Sequence, residues 1–340
     1  MSTYKQIKGF GLQTLTSDPS PILEGQVFVR NTYLNLSQTQ IGSWTMSTGL
    51  SNARTAAGGC GTQTAALVTG GRVIARDGTQ TNSNLTEEFD GSTWVSGGNL
   101  GTVRHFIGAV GTQTTALAIG GLGDGPAVVT SVEEYNGTSW TGGGALPASR
   151  YHLGAAGTQT SALSIGGVDG ATAVAVTTVQ EYDGSSWISG GSLPTALSSN
   201  QGIGSQTSAL SVAGFQGQDT TLEYDGTSWS SGGNLNNLRY EFGASGAGTQ
   251  TAAVVYGGTT IVIPAVSNKA ELYDGTSWTN GANMLINRRY GSNAGTQSAA
   301  LASGGSSGLF INSVEKWDSS PSNFILGGSF VNQYPETKAG

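Results

Sequence analysis

The sequence predicts an all-β protein whose repeated antiparallel units close into a ring, and three observations predict it. The phrase Gly-Thr-Gln-Thr, or a one-residue variant of it, recurs six times, beginning at Gly61, Gly111, Gly157, Gly204, Gly248 and Gly295. Short stretches of two-residue alternation bounded by glycine, such as Thr114 to Ile119, follow each copy and read as strand. Charged residues are 10% of the chain, against roughly 25% in ordinary globular domains, and 55 of 340 residues are glycine, which suits tight turns rather than solvated helices. Units of this period cannot bury their apolar faces alone and must stack or close on one another.

The elements follow in a fixed order. Ten residues after Trp44, Trp94, Trp140, Trp229 and Trp278 stand Arg54, Arg104, Arg150, Arg239 and Arg288, while the same step from Trp187 reaches Leu197. A first strand runs from there to the Gly-Thr-Gln turn. A second, alternating strand ends at a Gly-Gly pair: 70–71, 120–121, 166–167, 257–258 and 304–305, with Ala213-Gly214 in the fourth copy. A connection of variable length leads to a third strand ending in Phe89, Tyr135, Tyr182, Tyr224, Tyr273 or Trp317. Asp-Gly or Asn-Gly then turns five of these copies into the tryptophan strand, because both dipeptides tolerate positive φ. In the last copy Ser319-Ser320-Pro321 puts Phe324 at the tryptophan position.

The second strand predicts how the units pack. Leu67, Leu117, Leu163, Leu210, Val254 and Leu301 face one side, and Ala66, Ala116, Ala162, Ala209, Ala253 and Ala300 the other. A bulky face set against the small face of the next sheet buries both, as in the blades of a propeller. Cys60, the one cysteine, aligns with Val110, Ala156, Ile203 and Ala294 and reads as a buried structural thiol, with no disulfide framework.

The Gly-Gly pair, the glutamate before an aromatic and the tryptophan after a short turn resemble kelch repeats, over about 54–330. That resemblance implies a β-propeller of four-stranded blades, six in number. Seven is the alternative, if Gln26 to Arg30, Tyr33 to Leu36 and Ile41 to Thr45 form a partial unit; that segment could instead close the ring by pairing with the last blade. The expected organisation is a leader and hairpin over 1–46, the propeller over 47–330 and a tail over 331–340.

In a propeller the variable connections, about 72–84, 122–130, 168–178, 215–220, 259–268 and 306–312, share one face, and recognition is expected there. Arg54, Arg104, Arg150, Arg239 and Arg288 either ring the channel mouth as an anion site or pair with the recurrent Glu88, Glu134, Glu181, Glu223 and Glu271 as scaffold. His105 and His152 lie one and two residues after an arginine, too few for a metal site. Asp77, Asp124 and Asp169, each before glycine, are turn residues rather than calcium ligands. Phe215, Ile261, Val262, Ile263 and Phe310 are apolar residues of the same loops, suited to a sugar or protein surface or to edge packing.

No copper-oxidase, sialidase-like, Ser-His-Asp or phosphate-loop arrangement occurs, so the expectation is a non-enzymatic chain with no cofactor and no metal. The net charge of −7 is spread through the repeats and argues against nucleic acid; no apolar run predicts a membrane span, and Met1 to Gln13 lacks the apolar core of a secretory signal. Tyr4 to Phe10 reads as basic and extended, and Ser17-Asp18-Pro19-Ser20-Pro21 as a stiff linker. This leader, joined to Gly-Thr-Gln-Thr and Tyr-Asp-Gly-Thr-Ser-Trp repeats, resembles kelch-type structural proteins of tailed, notably marine, bacteriophages. The resemblance implies a virion protein, a tail fibre or surface adhesin assembled in the host cytoplasm and exposed on the particle. The leader would then dock to other virion proteins, and the loop face would meet a host glycan, a host protein or a neighbouring copy. The alternative is a bacterial carbohydrate-binding or carbohydrate-active propeller.

Overall fold

The computed structural model describes residues 42–74, 78–125, 127–216, 219–242, 246–260 and 265–319, together with the backbone of four strands nearer the N-terminus. The chain divides into two compact units, Ser43–Ser319 and a second made of Met1–Gly42 with Ser320–Gly340. In the second unit the strands Tyr4–Ile7, Phe10–Leu15, Val27–Arg30 and Tyr33–Leu36 form one sheet in that order. Its middle pair is parallel and its outer pairs antiparallel.

The described residues of Ser43–Ser319 contain six four-stranded antiparallel sheets, the blades of a propeller. Blade 1 comprises Gly58–Gly61, Ala66–Thr69, Thr86–Phe89 and Trp94–Ser96, and blade 2 comprises Gly108–Gly111, Ala116–Ile119, Val132–Tyr135 and Trp140–Gly142. Blades 3, 4 and 5 repeat the plan, with inner strands Gly154–Thr158, Gln201–Ser205 and Gly246–Thr249. Blade 6 takes Ser292–Gly295, Ala299–Ser303 and Val314–Asp318 from the end of the repeat and its outer strand, Ser43–Ser47, from the beginning.

Each inner strand touches the next, and that of blade 6 touches that of blade 1, so the six form a closed cycle. In blade 6 Trp44 stands opposite Trp317, the register in which Trp94 faces Phe89 and Trp140 faces Tyr135. Trp44 therefore fills the tryptophan position that the linear reading gave to Phe324, which lies outside the described residues. A strand borrowed from the far end of the chain ties the ring shut and removes the open edges a last sheet would otherwise present.

The packing follows the large and small faces of the second strand. Leu67 lies with Ala116 and Tyr135 of the next blade, Leu117 with Ala162 and Tyr182, and Leu163 with Ala209 and Tyr224. Leu210 with Ala253 and Tyr273, Val254 with Ala300 and Trp317, and Leu301 with Ala66 and Phe89 complete the circuit. All six bulky residues are fully buried. Each such side chain contributes about 1.5–3 kcal/mol on burial, so every interface rests on comparable apolar contact.

The Gly-Thr-Gln turns bind the blades to one another. Gln113 Nε2 donates to the main-chain oxygens of Ala66 (3.1 Å) and Phe89 (2.7 Å) in the preceding blade, and Gln159, Gln206, Gln250 and Gln297 do the same one blade further on each time. Gln63 closes the circuit on Ala300 and Trp317. The glycine before this glutamine has φ near +100°, and a Cβ on Gly61 would meet Ala65 O at 2.3 Å, so no other residue fits. At the hairpins into the tryptophan strand the aspartate carboxylate supports the turn: Asp90 Oδ1 accepts from the amides of Ser92 (2.8 Å) and Thr93 (2.7 Å), and Asp183, Asp225 and Asp274 repeat this.

Candidate binding site at the channel mouth

The recurrent arginines serve the scaffold. Arg54, Arg104, Arg239 and Arg288 are buried and pair with Glu87 (2.5 Å), Glu133 (3.0 Å), Glu271 (2.6 Å) and Glu315 (2.5 Å). Their other guanidinium nitrogen donates to main-chain oxygens, Gly120 and Ser131 for Arg104 and Gly257 and Lys269 for Arg239. Burial lowers each arginine pKa and the paired glutamate opposes that shift. None of the four offers a free guanidinium at the mouth, so the anion-binding ring does not form.

The partners also differ from the expected glutamates, apart from Glu271. Successive residues of a strand point to opposite faces, so Glu87 turns to its own blade's arginine while Glu88 turns to the next blade. There Glu88 accepts from the Tyr135 hydroxyl, Glu134 from Tyr182 (2.6 Å), Glu181 from Tyr224 (2.6 Å) and Glu223 from Tyr273 (2.5 Å). Where the tyrosine is lost the acid is lost with it. Trp317 faces blade 5, which has Leu272 at this position, and Phe89 lies under the ammonium of Lys316, 5.1 Å from the ring centre.

Two copies depart from the arginine pattern. In blade 4 both partners become leucine, and Leu197 and Leu222 share one core cluster. In blade 3 Gln180 replaces the glutamate, and Arg150 turns instead to Asp169 in the variable loop and to Thr178 Oγ1 (3.2 Å), half-buried at the rim.

The residue two places after the arginine behaves in the opposite way, varying in every copy while keeping one conformation. Ala56, Phe106, His152, Ser199, Glu241 and Tyr290 all lie in the left-handed region, with φ between 52° and 60°. Main-chain bonds link them around the mouth: Ser199 N to His152 O (2.7 Å), His152 N to Phe106 O (3.2 Å), Phe106 N to Ala56 O (2.8 Å), Ala56 N to Tyr290 O (2.9 Å) and Tyr290 N to Glu241 O (3.1 Å). A non-glycine residue costs about 1–2 kcal/mol in this region, yet no copy uses glycine here, whereas the first residue of the Gly-Gly pair, also left-handed, is glycine in every copy but Ala213.

Three of these side chains converge. Phe106 stacks on His152 with centroids 3.6 Å apart and meets Tyr290 at 5.1 Å, and all three are half-buried. Beside them Glu241 accepts from Arg289 (2.8 Å) and Thr259 Oγ1 (2.7 Å), and Ser199 Oγ bonds His152 Nδ1 (2.9 Å). Burial would raise the Glu241 pKa, but hydrogen bonds from Tyr290, Thr259 and Arg289 hold it below its ordinary value. Burial, then the bond to Glu241, pushes the Tyr290 phenol up. Burial, then the neighbouring His105, lowers His152 to about 4.

Below the ring the channel encloses about 140 Å³, walled by glycine and alanine of the inner strands and by Asn200, Gln201 and Asn293. Asn200 Oδ1 and Gln201 Oε1 are buried without a partner.

The remaining sequence candidates are dispersed. His105 is buried, with Nδ1 on Leu122 O (3.0 Å), and burial, then the charge of Arg72, lowers it to about 4. Asp124 is exposed beside Asn82, and Asp169 is capped by the amides of Ala171 and Thr172. Phe215 is exposed against Tyr240, and Phe310 bridges to Ser306. Asp77, Ile261, Val262 and Ile263 lie outside the described residues. Among the described residues no three His, Cys, Asp or Glu side chains are placed to hold a metal ion. Cys60 is buried, and its thiol is pushed up to about 12 by that burial.

No family model matches this chain, and no curated protein matches it. Among solved structures the chain is similar to one described as "Structure of YjhT", with a TM-score of 0.65 and 12% identity over 80% of this chain and 95% of that one. At that identity the likeness concerns the fold alone.

Proposed function

We propose that this chain is a non-enzymatic recognition protein, a tail-fibre or surface adhesin of a tailed bacteriophage, that meets a host surface or a neighbouring subunit with its variable-loop face. The observation that carries the reading is the contrast between the two ends of the propeller. One end is built from uniform turns whose side chains are consumed by internal bonds, the glutamine clamps and the aspartate caps. The other end gathers the departures: the ring at the mouth, the released Arg150, and exposed Ile74, Val174, Phe215 and Leu309 in four different connections. A scaffold that holds one face constant while varying the other is suited to recognition. The virion assignment rests on the resemblance of the repeats and leader to phage structural proteins.

Competition tests the reading. Purified full-length protein added to host cells should slow adsorption of the phage particles that carry it, and antibodies to the propeller should label intact virions. Unlabelled virions together with unchanged adsorption would overturn it.

A further inference from the structure

The ring at the mouth is costly to the scaffold. Glycine would relieve the backbone at Phe106, His152, Ser199, Glu241 and Tyr290, and the sequence uses it freely elsewhere, so the side chains retained here answer to something other than folding. Neither do they repeat, as scaffold positions do. Each blade supplies a different group, and together they set an aromatic platform of Phe106, His152 and Tyr290 beside the fixed polar groups of Ser199 and Glu241.

The chemistry of the ligand follows from charge and shape. Glu241 is matched by Arg289 and Asp169 by Arg150, so neither of these two carboxylates stands as an open charge beside the platform. Half-buried rings offer flat apolar faces to the C–H side of a saturated ring, while the hydroxyl and carboxylate around them suit a ligand rich in hydroxyls. The channel wall beneath is polar as well. Asn200 and Gln201 stand where the first three blades place Ala57, Ile107 or Leu153 and then glycine, and each leaves a carboxamide oxygen unmet, a loss to the fold at this one place in the ring.

We infer that the channel mouth is a binding site for one neutral sugar residue, stacked on Phe106, His152 and Tyr290 and oriented by Ser199 and Glu241. This rests on the recognition reading of the same face and names the ligand class for it.

The test uses full-length protein and a panel of methyl glycosides of neutral hexoses and N-acetylhexosamines, followed by saturation-transfer NMR, with a hexuronate and choline as charged comparators. At least one neutral glycoside should bind at millimolar concentration and both comparators should not. Phe106→Gly and Tyr290→Gly should weaken that binding by about tenfold or more while leaving the melting temperature equal or higher, because glycine suits the left-handed backbone. A merely structural aromatic plug predicts the reverse: a lower melting temperature and no loss of glycoside binding. Ile188→Ser, exposed on the outer strand Trp187–Ser189, should leave glycoside binding unchanged. Silence from every neutral glycoside, preference for a charged comparator, or glycine variants that bind as before would each overturn the inference. Competition for adsorption that persists in such a case would leave the adhesin reading standing, whereas loss of competition with glycoside binding intact would overturn the adhesin reading alone.

Discussion

The Gln63 carboxamide donates to the main-chain oxygen of Trp317 at 2.5 Å, joining the first turn of the repeat to the last blade. The same nitrogen reaches Ala300 O at 3.2 Å, so one side chain spans the carbonyls of two residues that stand opposite each other in neighbouring strands of blade 6. Gln63→Ala should destabilise the protein by about 0.5–1.5 kcal/mol, the net worth of a typical hydrogen bond. Gln63→Glu should cost more, since it sets an acceptor against two acceptors. Urea unfolding of the two variants measures both.

The buried arginine–glutamate pairs should behave as units. Arg104→Leu leaves Glu133 buried with one guanidinium fewer, and about 3–5 kcal/mol of stability should be lost. Blade 4 already shows the paired alternative in Leu197 and Leu222. Arg104→Leu combined with Glu133→Leu should therefore recover a large part of the loss, and a double-mutant cycle in denaturant reads the difference. Additive losses would contradict a pairwise role.

Lys316 and Phe89 should be exchangeable for the pair used at four other interfaces. Lys316→Glu alone removes the cation over the Phe89 ring and supplies a carboxylate with no hydroxyl to meet it. Adding Phe89→Tyr rebuilds the arrangement of Tyr182 with Glu134. The expected coupling is on the order of 1 kcal/mol in favour of the double variant, measured by thermal or chemical unfolding of all four proteins.

Acid should weaken the fold in two stages. His105 and His152 are held near 4 in the folded chain against an ordinary value of 6.5, so the folded state binds their protons less well than the unfolded state does. Their contribution is complete above 6.5 and is lost as the pH falls from there towards 4. The capped aspartates act lower: hydrogen bonds from Ser186 and Ser185 hold Asp183 at about 2, and that contribution is lost only as the pH falls below 3.8. Replacing both histidines by glutamine should flatten the stability curve between 6.5 and 4 and leave the lower stage in place.

Much of this architecture is legible in the residues, because alternation and the large and small faces of Leu117 and Ala116 dictate how one sheet meets the next. Two features were not. The recurrent glutamates mix two faces, because Glu88 stands one residue before Phe89 and Glu271 two before Tyr273, and one step along a strand reverses the face. The ring at the mouth is invisible for another reason, since a backbone angle leaves no mark on residues as different as Phe106, Ser199 and Glu241. Its one trace was variation at a fixed step after a constant arginine.

Ring closure by the strand Ser43–Ser47 carries the whole architecture, and a disulfide tests it. Ser43 stands opposite Asp318 in the outer pair of blade 6, and opposed antiparallel residues lie about 4.5–5.5 Å apart between Cα atoms, within disulfide reach. In a Cys60→Ser background, Ser43→Cys with Asp318→Cys should oxidise to an intramolecular bond, identified by mass spectrometry of the digested protein, and should raise the unfolding midpoint. A folded monomer in which these two cysteines stay reduced would contradict the closed ring.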